Sequence, residues 1–338
     1  MGKYVQTAAG AIGIGAAFVL YKTLSQRRRR NLAGQVVFIT GGSRGLGLAL
    51  AREFASLNCR LALCARDDVE LTRVRQALKG SEVFTVACDI SDHQQVTDTV
   101  NSVVNHYGRI DILVNNAGEI TVAPFENLTL ADFERGMAVM FWGMLYATLA
   151  VLPSMKNRGH GQIVNITSIG GKVSVPHLLS YSCAKAAAVA LSNGLRSEVK
   201  KFGIEVTTIV PGLMRTGSHV NALFKGNLAE EAAWFGTAAS LPLLSLNAER
   251  AARLTVDAIC AGKPETILGV PAKILSQAQN LFPGWVSELF RLSNTWLPQG
   301  GTDSFPQAGR ELEKEHGSLY RLLTTLGRQA GGRLNQPV

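Results

Sequence analysis

The chain has 338 residues, 46% hydrophobic and 17% charged, which supplies apolar material for a large core and excludes wholesale disorder. Its formal net charge is +9, but Lys3, Lys22 and Arg27, Arg28, Arg29 and Arg30 place +6 of it before residue 31, ahead of the first acidic residue, Glu53. The remainder nets +3 with no basic stripe and no interleaved aromatics, so nucleic acid is not an expected partner.

Residues 4–21 carry no charged side chain, close to the roughly 20 residues that span a bilayer. Alternatives for this run are a surface-lying helix or a targeting peptide. A cleaved signal would place its charge before the apolar run; here Arg27–Arg30 follow it, so the positive-inside rule predicts a transmembrane anchor with the body in the cytosol. Ala9, Gly13 and Ala17 recur every four positions, as a helix-packing face would, although Gly and Ala are abundant there. Bacterial inner membrane, endoplasmic reticulum and mitochondrial outer membrane all remain open.

From residue 35 the pattern changes. Buried-strand runs are predicted at Gln35–Thr40, Arg60–Cys64, Val83–Cys88, Ile110–Val114, Gln162–Thr167 and Ile204–Val210, with helices between them, as at 46–57 and 67–79. Apolar strands alternating with helices predict an α/β fold, a single doubly wound parallel sheet covered on both faces. The expected division is an anchor and basic flank over 1–30, one Rossmann-type domain over 31–262 and a partly helical extension over 263–338. In that extension, 309–328 reads as an amphipathic helix with Leu312, Leu319, Leu322, Leu323 and Leu326 on one face, set to pack on the domain, a partner or a membrane. Cys59, Cys64, Cys88, Cys183 and Cys260 show neither C-x-x-C nor zinc-ligand spacing, so reduced, mostly buried thiols and no metal site are expected.

The first βα turn reads Thr40-Gly41-Gly42-Ser43-Arg44-Gly45-Leu46-Gly47. Glycines there let backbone approach a pyrophosphate, and the helix that follows offers free N–H groups and the positive end of its dipole. A Gly-rich turn alone is a weak signal; its place between a strand and a helix is the context that gives it weight.

The spacing Gly41-x-x-x-Gly45-x-Gly47 resembles the turn of the short-chain dehydrogenase/reductase family, and the resemblance extends over about residues 35–262. Asn115-Asn116-Ala117-Gly118 is similar to the family's N-N-A-G motif beside the cofactor. Asp89-Ile90 matches the position at the adenine ring, and Pro211-Gly212 with Thr216 matches the segment that holds the nicotinamide carboxamide. Charge argues for the cofactor: Arg66 after the second strand and Arg44 in the turn fit the 2′-phosphate of NADP(H), while Asp67 argues for NAD(H).

Tyr181 and Lys185 are four residues apart, which puts both on one helix face. A free tyrosine has a pKa of about 10, and a nearby ammonium is expected to lower it so that Tyr181 exchanges a proton near neutrality. The resemblance implies that Tyr181 is the proton donor or acceptor, that Lys185 also binds the nicotinamide ribose, and that Ser168 holds the substrate oxygen. One departure stands out: the family's central-helix Asn, which holds a proton-relay water, is Met140 here, within Val139-Met140-Phe141-Trp142-Gly143. Another polar group or a water is expected to replace the relay, at some cost in rate.

The expected function is hydride transfer between NADP(H) and a carbonyl or alcohol. Leu213, Met214, Val220, Leu223, Phe224, Trp234, Phe235, Leu241, Leu243 and Leu244 follow Pro211-Gly212, where family substrate loops lie, and they line an apolar pocket or form ordinary core. The first reading, with the anchor, gives a lipid-, steroid- or retinoid-like substrate. Two other classes stand beside the enzyme: a cofactor-binding regulator or scaffold with little turnover, motivated by Met140 and the tail, and a membrane-assembly protein driven by the N-terminal segment. The resemblance further implies a homodimer or homotetramer through helices near 131–155 and 181–201.

Overall fold

A computed structural model describes residues 30–301, 303–312 and 317–336; the expected anchor at 4–21 and the cations before Arg30 lie outside the described residues. Seven strands form one sheet: β1 (Val36–Thr40), β2 (Arg60–Ala65), β3 (Val83–Ala87), β4 (Ile112–Asn115), β5 (Gly161–Ile166), β6 (Ile204–Pro211) and β7 (Glu265–Leu268). Their order is β7-β6-β5-β4-β1-β2-β3, and every neighbouring pair is parallel. The chain starts at β1, winds outward to β3, then returns to lay β4 on the other side of β1. That reversal opens a crevice at the carboxyl ends of β1 and β4, where open α/β sheets bind ligands.

The central strands are apolar along their length because both faces are covered. Val36–Ile39 and Ile112–Val114 are buried throughout. On one face lie α1 (Gly45–Ser56) and α7 (Ala248–Cys260), with Leu48, Phe54 and Ile259 in the core. On the other lie α3 (His93–Tyr107) and α4 (Leu130–Arg158), with Val100, Ala147, Val151 and Met155. Removing one such leucine- or phenylalanine-sized side chain from water stabilises the fold by about 1.5–3 kcal/mol. Helix starts follow local chemistry. Asp67 accepts from Glu70 N to cap α2 (Asp68–Ala77), and Asp92 accepts from Gln94 N and Gln95 N to cap α3, each worth about 1 kcal/mol. By length and composition α4 is, among the described residues, the one helix able to cross a bilayer, yet its buried residues pack on the sheet as those of a core helix do.

Helix α5 (Leu179–Val199) covers the sheet beside α4, and α6 (Leu228–Ser240) follows β6. A small second sheet joins Thr121–Val122, Leu223–Gly226 and Asp303–Ala308. It is tied to α4 by the buried pair Lys225 Nζ–Asp132 Oδ2 at 2.6 Å. Burial pushes the Asp132 carboxyl up, but hydrogen bonds from Lys225, Thr129 and Arg135 outweigh it and hold the group down at about 2.

The tail departs from the expected single amphipathic helix over 309–328. Short helices Gly309–Leu312, Ser318–Leu323 and Thr325–Arg333 replace it. Gly317 is extended at φ −70°, ψ 177°, which ends any continuous helix before residue 318. Leu312 is buried, while Leu322 and Leu326 face solvent, so these leucines do not share one packed face. Upstream, α8 (Val270–Leu281) and α9 (Pro283–Ser293) expose Val270, Ile274, Leu281, Trp285, Leu289 and Leu292.

Candidate active site

The floor of the crevice is backbone packed on backbone. Gly41 takes φ +63°, and a Cβ there would lie 2.9 Å from Ala117 Cα; a Cβ on Gly47 would lie 2.1 Å from Gly41 O. The Thr40 hydroxyl accepts from Asn116 N at 3.0 Å and Ala117 N at 3.1 Å, and the Asn116 side-chain amide donates to Thr40 O and Gly41 O, both at 3.0 Å. These bonds lock the turn after β1 to the loop after β4.

Above that floor is a cleft of about 580 Å³. It gathers Gly41, Ser43, Arg44, Gly45, Leu46, Gly47, Arg66, Asp89, Ile90, Asn116, Ala117, Gly118, Thr216, Tyr181 and Lys185 along its walls. Thr40, Pro211 and Gly212 lie outside the lining. Thr40 is buried beneath it, Pro211 pairs with Leu268 at the end of β6, and Gly212 N donates to Leu268 O. Ser168 is also outside the lining but hydrogen-bonds Tyr181.

Tyr181 and Lys185 project from the first turns of α5. Gly170 and Gly171 let the β5–α5 loop lie directly on this helix, since a Cβ on Gly171 would meet Lys185 O at 2.5 Å and one on Gly170 would meet Tyr181 Cε1 at 3.2 Å. Ser168 Oγ accepts from Gly170 N at 3.0 Å, which leaves its proton for the Tyr181 oxygen. Lys185 Nζ stands 5.9 Å from the Tyr181 ring centre and donates to Ile166 O at 2.9 Å. Ahead of α5, His177 pairs with buried Glu231 at 2.7 Å, and Trp234 Nε1 donates to the same carboxylate at 2.6 Å, fixing the entry loop.

The expected lowering of the Tyr181 pKa is not what the protein groups produce. Burial pushes the phenol up, and the Ser168 hydrogen bond offsets it only in part. The reason lies in Lys185, which burial drives down to about 8 and whose ammonium bonds a carbonyl instead of the phenol.

Met140 sits in a π-turn, Ala138–Trp142, inside α4. A Cβ on Gly118 would be 3.8 Å from Lys185 Nζ and 3.9 Å from Met140 Cγ, so the thioether side chain stands where the resemblance places an amide, beside the lysine. Such π-turns recur at functional sites.

The charges around the cleft differ in detail from expectation. Arg44 Nη1 is held by Glu70 Oε1 at 2.9 Å, and Ser43 Oγ donates to Glu70 Oε2 at 2.6 Å. Asp67 also lines the cleft and caps α2 through Oδ1. Glu70, Arg73, Glu119, Asn221, Arg310 and Gln336 also line the cleft. Of these, Glu70 was discoverable: Asp67-x-x-Glu70 is a helix-start spacing, and it sets an acid one turn above Arg66. The others reach the cleft through tertiary packing that no local spacing reveals. Of the apolar run after Pro211, Val220, Phe224 and Phe235 are buried core, Leu243 faces solvent, and Met214 and Leu223 line the cleft. Four cysteines are buried and Cys183 is exposed; all five are free, and no metal-binding cluster occurs among the described residues.

The profile of the short chain dehydrogenase family matches residues 35–224. A dehydrogenase/reductase SDR family protein 7-like from Anopheles gambiae is 42% identical over 206 residues; the match takes in 59% of this chain and 65% of the relative, just under two thirds of its length. A short-chain dehydrogenase of known structure from Streptomyces avermitilis superposes with a TM-score of 0.67 at 29% identity, over 78% of this chain and 99% of that one. L-sorbose reductase from Gluconobacter frateurii, solved with NADPH and L-sorbose, superposes with a TM-score of 0.64 at 26% identity, over 72% and 97%.

The Lys185 shift carries a stability consequence. Its folded pKa of about 8 is below the ordinary 10.5, so burial disfavours the charged form, and the cost is fully present below pH 8. Between 8 and 10.5 the unfolded chain holds the proton longer, and stability rises with pH. Lys185→Met is expected to raise the melting temperature at pH 7, with the gain shrinking as pH approaches 10.5 in thermal scans. A lower melting temperature at pH 7 would show that the ammonium stabilises the fold.

Proposed function

This chain belongs to the short-chain dehydrogenase/reductase family, and we propose that it is an NADP(H)-dependent oxidoreductase in which Tyr181 transfers the proton to or from a carbonyl/alcohol oxygen. The observation that carries this reading is the convergence of Tyr181 and Lys185 on the wall of the Gly-turn cleft, with Lys185 Nζ 5.9 Å from the centre of the phenol ring. A nicotinamide dinucleotide bound there supplies or takes up the hydride, and its oxidised ring adds a positive charge that favours the phenolate.

The chain's own residues handle the proton and the oxygen. In the reducing direction the Tyr181 hydroxyl gives its proton to the substrate oxygen as the carbon gains hydride, so carbonyl becomes alcohol. The Ser168 hydroxyl donates to that oxygen and then to the phenolate left behind. Lys185 keeps positive charge near the phenolate, and solvent returns the proton. Gly41, Ser43, Gly45, Leu46 and Gly47 would hold the pyrophosphate half of the cofactor, Asp89 and Ile90 the adenine, and Asn116, Ala117 and Gly118 the ribose side. Thr216 would hold the carboxamide from the cleft wall, with Pro211 and Gly212 fixing the loop that carries it and Thr40 keeping the turn in place. The absence of an amide at Met140 leaves Lys185 without the family's side-chain relay partner, so a water is the expected link to solvent.

Arg66 and Arg44 support NADP(H), since guanidiniums bind a phosphate by charge-assisted hydrogen bonds. Asp67, which lines the cleft and caps α2 through Oδ1 alone, and Glu70, which shares Arg44, work the other way. Ile120, Val139, Met214 and Leu223 line the cleft with Tyr181 and support an apolar carbonyl or alcohol substrate. The outward-facing Trp142 and Leu149 on α4 support homodimer or homotetramer assembly.

The body is further proposed to be held at a membrane by residues 4–21 with the active site on the cytosolic side. The uncharged run and its basic flank support this, as do the exposed Ile274, Trp285 and Leu289 of α8 and α9. The full chain should then stay in the membrane pellet through an alkaline carbonate wash; release into the supernatant would contradict an anchor.

Activity is tested by carbonyl-dependent NADPH oxidation with a panel of hydrophobic ketones and aldehydes. Tyr181→Phe should lower turnover roughly 10²–10⁴-fold, the usual worth of a positioned acid, with cofactor affinity retained. A folded wild-type chain that binds cofactor but oxidises none of it with any carbonyl would favour the regulator reading.

A further inference from the structure

The end of the chain returns to the glycine-rich turn. Leu334 is fully buried in the same core as α1, and its carbonyl accepts from Gly45 N at 2.9 Å. Asn335, at φ +57°, donates from its side-chain amide to Ser43 O at 2.9 Å and Glu70 O at 3.2 Å. Gln336 Nε2 donates to Thr216 O at 3.1 Å, and Gln336 Oε1 accepts from Asn221 Nδ2. Glycines make this approach possible. A Cβ on Gly45 would lie 3.1 Å from Gln336 Nε2, and one on Gly217 would lie 2.4 Å from Gly331 Cα.

We propose that Leu334–Gln336 are a working part of the dinucleotide site, in which the Gln336 side-chain amide closes the cleft over the pyrophosphate and helps hold the cofactor. The proposal rests on the reading of the cleft as a nicotinamide dinucleotide site.

Three features carry it. The segment joins two walls that the sheet keeps apart: Ser43 and Gly45 belong to the turn after β1, whereas Thr216 and Asn221 follow β6. It is built in rather than draped over, since Leu334 is anchored in the core and Gln336 is only 7% exposed while lining the cleft. Its chemistry suits a polyanion. The Asn335 amide is taken up by Ser43 O and Glu70 O, so the anion contact falls to Gln336, whose primary amide carries two N–H donors. One donor of Gln336 goes to Thr216 O; the second has no protein acceptor among the described residues and fits a phosphate oxygen. No side chain caps α1, whose Ncap is Arg44, so the tail carbonyl on Gly45 N also sets the orientation of the helix start that faces the pyrophosphate.

The test compares the full-length wild type with two variants. Asn335→Ala/Gln336→Ala removes the polar contacts and keeps Leu334. Gln336→Glu keeps the size and sets a negative charge against a phosphate. NADPH affinity is measured by quenching of protein fluorescence, release by stopped flow, and folding by thermal melting without cofactor. Both variants should bind NADPH at least about tenfold more weakly and release it faster; tenfold is the effect of losing one hydrogen bond to a charged group, and Gln336→Glu, which sets a carboxylate oxygen against Thr216 O, should also melt below wild type. Unchanged or tighter binding in both variants would overturn the proposal. So would a lower melting temperature with an unchanged Kd, the mark of a packing role alone. If folded wild type binds neither NADPH nor NADH, the dinucleotide reading itself fails; if it binds and both variants match it, only the role of the tail fails.

Discussion

The close approach of two backbones at the carboxyl ends of β1 and β4 is the constraint on which the rest depends. Glycine at 41 allows it, because a Cβ there would overlap Ala117 Cα, and glycine at 47 lets α1 start against the same turn, where a Cβ would meet Gly41 O. The Thr40 hydroxyl and the Asn116 amide then make four hydrogen bonds across the join. These bonds are only part-buried, so each is worth about 0.5–1.5 kcal/mol. The same join turns the N-terminus of α1 toward the crevice. The end of the cleft proposed to bind the pyrophosphate is therefore a product of sheet topology and of two missing side chains.

The proton-transfer end obeys a different economy. Tyr181 and Lys185 are buried, and burial disfavours the charged form of both, raising the phenol and lowering the amine. A stable fold alone would not keep an ammonium there with a single carbonyl as its protein partner. That arrangement is intelligible when the positive charge serves a phenolate, as the proposed mechanism requires. Met140, buried in the π-turn of α4, offers no amide to that side of the site.

Much of this was legible in the sequence. The parallel sheet followed from apolar runs at strand length, and six of its strands fall within two residues of their expected positions because buried strands leave little room for polar residues. The glycine turn, Asn116–Gly118 and the Tyr181/Lys185 spacing are local patterns, so they converge as read. Strand β7 was not legible: Glu265–Leu268 is four residues long, half polar, and stabilised by its partner β6 instead of by its own pattern. The tail was misread for a related reason. Its leucines have helical spacing, but Gly317 breaks the run. Spacing marks Glu70 as a helix-start acid, but its contact with Arg44, the Lys225–Asp132 pair and the return of Gln336 to Thr216 span 26 to 120 residues of chain, which no spacing rule reaches. The apolar run after Pro211 shows the limit of composition, since core, solvent-facing and cleft residues there share the same chemistry.

The central claim is that this cleft holds a nicotinamide dinucleotide and prefers the 2′-phosphorylated form through Arg66 and Arg44. Its most direct test is an equilibrium titration of the folded full-length chain with NADPH and with NADH, followed by quenching of protein fluorescence and repeated on Arg66→Ala. The account predicts NADPH binding at least about tenfold tighter than NADH, with the preference collapsing in the variant, as the loss of a charge-assisted bond to phosphate requires. Tighter binding of NADH would overturn the cofactor choice and move the weight to Asp67 and Glu70, and binding of neither would contradict the account as a whole.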